Sequence, residues 1–345
     1  MYICTPPNIS KELIQRLPIW EPLFYLVPQD VHRFVNIYMV LLNGRYTIFR
    51  KATIEDCNIV IMQEGDYISE EIKISIMQCG TMTVLPYEAD IRRNNPLEKR
   101  IILPVNAFLV EHPVHGNILI DTGWASNVND ILPKYLKHFY RPQIAPGQTA
   151  KEQLAAKGLK PEDIDVVLLT HLDIDHTCAL KDFAGKAKRI VCAELEYFYS
   201  PRYVYKIRQV WDTWIPYIKT EDRIHYRSST LGPVGRGFDL FGDDSVLCIY
   251  TPGHTDGNFI VMINKSPSDR FKHHGDGDVG SSFAVIAGDA AFSETNLNDH
   301  VVPGYGFDRK LQLKSVEFLA DLRKSSYCCG MFFSHSSSDR TEIFF

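Results

Sequence analysis

The sequence predicts an α/β fold in which sheets are covered by helices, and three observations predict it. From Ile72 onward, short apolar runs of strand length come first and then alternate with amphipathic segments of helical length. Several of those runs end abruptly in His or Asp, which places polar side chains at strand ends, where sites usually lie. The composition is that of an ordinary globular chain, 345 residues with 45% hydrophobic and 23% charged.

That length allows one large domain, or a large domain with a small appendage. A net charge of -5 gives no reason to expect a nucleic-acid partner. No stretch reaches 18 apolar residues and the first residues lack a signal-peptide pattern, so neither a membrane span nor secretion is expected. The eight cysteines (4, 57, 79, 178, 192, 248, 328 and 329) form no CxxC pair, which fits reduced thiols in a cytoplasmic protein.

Residues 1–72 read differently from the rest and carry no chemical motif; they are expected to form a small extension of unassigned role. Within them Asn43-Gly44 is a hairpin signal joining Val35–Leu42 to Tyr46–Arg50. From there strands are expected at Ile72–Met77, Asn106–Glu111, Asn117–Asp121, Ile164–Leu169, Lys188–Cys192, Ser245–Tyr250, Asn258–Ile263, Phe283–Ala287 and Gly330–Phe333. Helices are expected at Gln148–Lys157, closed by Gly158, from Glu194 through an aromatic-rich stretch to about Tyr217, and at Arg309–Lys324. Asn264–Ser282 reads as a polar surface loop, and its His273, His274, Asp276 and Asp278 as solvated loop residues rather than a metal site. The aromatics from Tyr197 to Tyr217 read first as packing against the sheet and second as an apolar lid.

The segment Thr170-His171-Leu172-Asp173-Ile174-Asp175-His176 carries the chemistry. Two imidazoles and two carboxylates follow the apolar run Val166–Leu169, and a short turn leaving a rigid strand lets such side chains converge on one volume. This reads as a cluster of ligands for a divalent cation. Four further candidates stand after apolar strands: Asp121 in Ile-Asp-Thr-Gly, His254 in Thr-Pro-Gly-His-Thr-Asp-Gly, Asp289 in Ala-Gly-Asp-Ala, and His335 in Phe-Phe-Ser-His. Cys178, just past the cluster, reads as a small buried residue rather than a nucleophile.

In type, order and spacing these motifs resemble the five successive motifs of the metallo-β-lactamase superfamily, over about residues 72 to 345. Within it the chain is most similar to the N-acyl homoserine lactonases, a likeness carried by Thr-Pro-Gly-His, Gly-Asp-Ala-Ala-Phe and Val-Pro-Gly-Tyr-Gly-Phe-Asp. The resemblance implies a four-layer αββα sandwich for a catalytic domain at residues 73–345. It implies that His171, Asp173 and His254 hold one metal ion, that Asp175, His176 and His335 hold a second, and that Asp289 bridges both. Asp121 would orient ligands without being one, Asp175 would align a bridging hydroxide and pass on a proton, and Phe292 and Tyr305 would meet the substrate.

The activity so implied is a dinuclear metal-dependent hydrolase that opens a lactone or related ester, N-acyl homoserine lactones first, in the manner of quorum quenching. Its partner would be that small molecule, with a homodimer left open. Two departures stand out. Asp173 occupies the position of an imidazole in the family's usual pattern, a harder and anionic ligand that shifts preference toward iron or manganese, while zinc stays the first expectation for both ions. Phe292 stands where the lactonases carry a tyrosine. The alternatives are a di-iron oxidoreductase of flavodiiron type, which also has a carboxylate at the position of Asp173, and a hydrolase of another substrate such as a thioester, β-lactam or phosphodiester.

Overall fold

The computed structural model describes three short strands in the first 70 residues and then residues 71–93, 95, 97–199, 208–265, 282–338 and 341–345. Contacts divide the chain into two units, Met1–Glu70 and Glu71–Phe345. In the first unit, β1 (Ile37–Leu42) and β2 (Arg45–Arg50) pair antiparallel from Ile37 opposite Arg50 to Leu42 opposite Arg45, and β3 (Val60–Ile61) joins β2. These are the strands of the expected hairpin; the Asn43-Gly44 turn lies outside the described residues.

In the second unit, two apolar faces per strand dictate the layering. β7 (Ile164–Leu168) shows how: Ile164 and Val167 pack on one side, Val166 and Leu168 on the other, and all four are buried. A strand that is apolar on both faces cannot border water, so its sheet must be covered twice. Its sheet has the order β16-β4-β5-β6-β7-β8-β9, made of β4 (Lys73–Val84), β5 (Ile101–His112), β6 (Gly116–Ile120), β7, β8 (Arg189–Ala193), β9 (Arg223–Ile224) and the edge strand β16 (Glu342–Phe344). The second sheet runs in sequence order: β10 (Arg227–Ser228), β11 (Arg236–Asp239), β12 (Val246–Tyr250), β13 (Phe259–Asn264), β14 (Phe283–Ile286) and β15 (Cys328–Phe332).

The inner faces form one core. Ile74, Phe108, Val110, Ile118, Ile120 and Leu168 of the first sheet pack with Val246, Phe259, Val261, Ile263 and Ile286 of the second. The outer face of the first sheet buries Leu109, Leu119 and Val167 against Ala150 and Leu154 of a helix, Ala150–Ala156, and against Phe183 and Trp214. The outer face of the second buries Ile260, Met262 and Val285 against Val316, Leu319 and Ala320 of the long helix Arg309–Lys324. Helix, sheet, sheet and helix therefore lie in four layers, as expected.

Local signals set the boundaries. Thr149 accepts a bond from the Glu152 amide while the Glu152 carboxylate accepts one from the Thr149 amide, a capping box that starts the first helix. Asp308 accepts from the amides of Lys310 and Leu311 and starts the long one at the expected residue. The nine expected strands of the second unit are present, though β4 and β5 run to 12 residues each because they pair along most of their length, while β9, β10, β11 and β16, at the sheet margins, are not among those expected.

One element differs. The helix from Glu194 ends at Tyr199, residues 200–207 lie outside the described set, and Trp211–Thr213 is a short 3-10 turn rather than helix. Trp214 and Tyr197 pack on the outer face of the first sheet, the first of the two readings, and neither lines the cavity described below. Among the described residues, no helix is long and apolar enough to cross a membrane. The polar loop with His273 and His274 lies outside the described residues.

Phe108, fully buried between the sheets, sets the scale of the core. Phe108→Ala should cost about 3–5 kcal/mol by loss of burial and cavity formation, whereas Phe198→Ala, at a side chain 65% exposed, should stay within about 0.5 kcal/mol. Urea midpoints of the two variants check the contrast.

Candidate metal centre

Every candidate polar side chain projects from the end of a core strand. β6 delivers Asp121, β7 delivers His171 to His176, and on the facing sheet β12, β14 and β15 deliver His254, Asp289 and His335. All eight of these residues are at most 4% exposed. Close backbone packing shapes the turns. Gly253, at φ +129°, lies so near Gln312 that a Cβ would stand 2.2 Å from its backbone nitrogen, so the turn presenting His254 needs glycine. Asp121 itself holds a left-handed conformation, φ +57°, uncommon for a residue with a Cβ.

The four imidazoles are oriented alike. Each has its Nδ1 engaged outside the cluster: His171 with Thr170 Oγ1 at 3.1 Å, His176 with Asp121 Oδ2 at 2.7 Å, His254 with the Tyr305 carbonyl at 2.9 Å and His335 with the Pro104 carbonyl at 3.0 Å. Their Nε2 atoms point inward at the carboxylates. Asp289 lies between them. Its Oδ2 is 3.8 Å from His171 Nε2 and 3.4 Å from His254 Nε2, while its Oδ1 is 3.3 Å from His176 Nε2 and 3.1 Å from His335 Nε2. Asp173 Oδ2 completes the first group at 3.5 Å from His171 and 3.2 Å from His254, and Asp175 Oδ2 the second at 3.6 Å from His176 and 3.4 Å from His335.

Neighbours pin this arrangement. The Thr170 amide and hydroxyl donate to Asp121, and the Thr122 amide and hydroxyl donate to the His176 carbonyl. Asn106, on β5, donates through its side-chain amide to the carbonyls of Phe333 and Ser336 on either side of His335. The buried Glu196 accepts from the amides of Leu172 and Gly257, tying the loop after β7 to the turn after His254.

The donor set fits divalent cations. Buried and without a hydrogen-bond partner are His171 Nε2, His176 Nε2, His335 Nε2, Asp173 Oδ1 and Asp289 Oδ1, and orphaned polar atoms are costly unless something else engages them. Three groups of potential ligand atoms lie within 4.8 Å of one another: His171, Asp173 and His254; Asp175, His176 and His335; His171, His176 and Asp289. Charge points the same way. Burial alone would lower the His176 pKa, yet Asp121, Asp289 and Asp175 outweigh it and hold that pKa well above the imidazole range. Burial would likewise raise Asp289, and His335, His176 and His254 hold it well below the carboxylate range. Four carboxylates in one buried volume call for positive charge, from protons or from metal ions.

Residues 100–265 match the profile of the Metallo-beta-lactamase superfamily. Over those residues the chain is similar to that superfamily. Its relatives include the N-acyl homoserine lactonase AttM of Azorhizobium caulinodans, 26% identical over 262 residues that span 73% of this chain and 89% of the relative, and AttM of Agrobacterium fabrum, 25% identical over 72% and 88%. Among solved structures, an N-acyl homoserine lactone hydrolase with N-hexanoyl-L-homoserine at its catalytic metal centre superposes with a TM-score of 0.58 at 21% identity, covering 76% of this chain and 92% of that one. This last likeness is one of fold. These relatives are lactonases by name, and the chain is an enzyme, a metal-dependent hydrolase.

The cavity over the cluster holds both expected and unexpected residues. Asp173, Asp175, His254, Asp289, Phe292, Tyr305 and His335 line it as expected, joined by Met82, Glu88, Tyr140 and Arg208, which sequence reading does not single out. Phe292 packs its edge on the His335 ring at 4.5 Å between centroids, and its amide donates to Asn296. Arg208 Nη2 lies 3.1 Å from Asp173 Oδ2. Nothing in the aromatic stretch around Arg208, nor in the Pro-Tyr-Glu-Ala turn around Glu88, marks either for the site, since both arrive by long-range packing. Cys178 is buried and its thiol is pushed up to about 12 by burial, which suits packing rather than nucleophilic attack.

Glu88 supplies a pH test. Burial raises its carboxyl from 4.5 to about 7. The folded chain then keeps a proton that the unfolded chain releases, so this contribution to stability is complete below about pH 4.5 and is lost as pH rises through about 7. The stability difference between Glu88→Gln and wild type, measured by urea unfolding, should therefore move in favour of the variant between about pH 5 and about pH 8. A difference independent of pH would overturn the assignment.

Proposed function

We propose that this enzyme is a dinuclear metal hydrolase that opens N-acyl homoserine lactones or a closely related ester. The observation that carries the reading is Asp289, whose two oxygens are divided between two pairs of imidazoles, each pair completed by its own aspartate. His171, Asp173 and His254 would hold one divalent ion, Asp175, His176 and His335 the other, and Asp289 both. Zinc is our first assignment, with iron or manganese as alternatives because each group offers more carboxylate than imidazole-rich sites do. When bound, such a pair of ions supplies a water acidic enough to attack at neutral pH and polarises a substrate carbonyl.

The protein's own side chains do the rest. Asp175 Oδ2, facing His176 and His335 at the cavity wall, would align the attacking water and carry its proton toward the leaving oxygen. Asp121 keeps His176 in the tautomer that presents Nε2. Met82, Tyr140, Phe292 and Tyr305 give the cavity an apolar side suited to an acyl chain or lactone ring. Phe292 has no hydroxyl to offer the substrate, and Tyr305, which lines the same cavity, is the group we assign to that contact. The lactonase relatives support this choice of substrate. The described cysteines, all free, support a cytoplasmic setting.

Two measurements test the proposal. Protein purified without added metal should carry about two ions per chain by elemental analysis and release acid from acyl homoserine lactones, followed with a pH indicator. Oxygen or nitric oxide consumption by an iron-loaded protein with no ester turnover would overturn it in favour of an oxidoreductase. Asp289→Asn and His176→Ala should lose metal and at least about 100-fold in kcat/KM together; full activity in either would remove the assignment.

A further inference from the structure

The two groups of donors are the same in type and different in what stands behind them. Each has two imidazole Nε2 atoms, one aspartate oxygen of its own and one oxygen of Asp289. Behind the group of His171, Asp173 and His254 stands a cation. Arg208 places Nη2 3.1 Å from Asp173 Oδ2, the oxygen that faces both imidazoles, and its side chain is only 12% exposed. Its guanidinium also donates to the His254 carbonyl at 3.4 Å. Behind the group of Asp175, His176 and His335 stands an anion. Asp121 Oδ2 lies 2.7 Å from His176 Nδ1, whereas the other three imidazoles turn Nδ1 to a hydroxyl or to carbonyls.

These partners act in opposite directions. A guanidinium on a carboxylate oxygen draws electron density from it and repels a nearby cation. A carboxylate on the far nitrogen of an imidazole makes the near nitrogen a stronger donor. Side chains of this kind change metal affinity by roughly 10- to 100-fold each.

We infer that the two metal positions are unequal, that the position of Asp175, His176 and His335 holds its ion tightly while that of His171, Asp173 and His254 exchanges, and that Arg208 is the positioning residue that sets the difference. The inference rests on the dinuclear reading above. It gives Arg208 a role distinct from bracing Asp173. A brace would strengthen metal binding, whereas a positive charge at 3.1 Å from the ligand oxygen weakens it.

The experiment is stepwise removal of zinc from the loaded enzyme by a competing chromophoric chelator, which reads metal affinity without reference to turnover. Wild type should release its two ions with dissociation constants at least about 10-fold apart. His254→Ala should retain the tight ion alone, and His335→Ala should retain at most the weak one. Arg208→Met should tighten the weaker ion and close the gap to within a few fold, while Arg208→Lys, which keeps the charge, should preserve it. Two ions of equal affinity in wild type, or a weaker ion loosened further in Arg208→Met, would overturn the inference and leave the dinuclear reading intact. Binding of one ion or none by wild type would overturn the dinuclear reading itself.

Discussion

The buried carboxylate of Asp289 is the constraint on which the rest of the structure depends. Taken from water with no compensation, a carboxylate would be protonated or would unfold its surroundings. Here it sits among four imidazole nitrogens and two further aspartates, a volume in which no single group satisfies the others. The result is a polar cluster that can be neutral only with added positive charge. The rigid parts of the domain hold these groups together in spite of that.

Holding them has local costs that the fold absorbs. Asp121 accepts a left-handed backbone so that one carboxylate can bond Thr170 and His176 at once. Gly253 allows the His254 turn to touch the start of the long helix, where any Cβ would collide. Asn106 and Glu196 satisfy backbone groups of loops that would otherwise be free to drift by an ångström, enough to spoil ligand geometry. Gly253, Asn106 and Glu196 act on backbone alone. They convert a set of loop side chains into a fixed constellation, and the sandwich core behind them supplies the stiffness.

Much of this is legible in the chain. The cluster from His171 to His176 announces itself because so many donors crowded after an apolar run would repel one another unless a cation joined them, and Asp121, His254, Asp289 and His335 share that placement after a strand. Strand positions follow from apolar runs, and the long helix from its amphipathic spacing and its Asp308 cap. The stretch from Trp211 departs from the expected helix because its aromatics satisfy helical periodicity while its backbone turns tightly to seat Trp214 against the sheet. Arg208 and Glu88 are invisible in the sequence for a different reason: each reaches the cavity from a segment distant in sequence, and a lone charged residue carries no local mark of the partner it will meet. What a sequence shows directly is which residues are neighbours along a strand; which charge offsets which across a cavity belongs to the three-dimensional packing.

The eight clustered side chains come from both halves of the sandwich, Asp121 through His176 from one sheet and His254 through His335 from the other. An ion bound between them is therefore a cross-link between two sheets as well as a reagent. No short segment holds a complete set, and the group of Asp175, His176 and His335 is complete only when β15 has docked beside β14. An ion held there would take its ligands from a scaffold that brings both sheets together, and its binding energy would add to the cohesion of the sandwich.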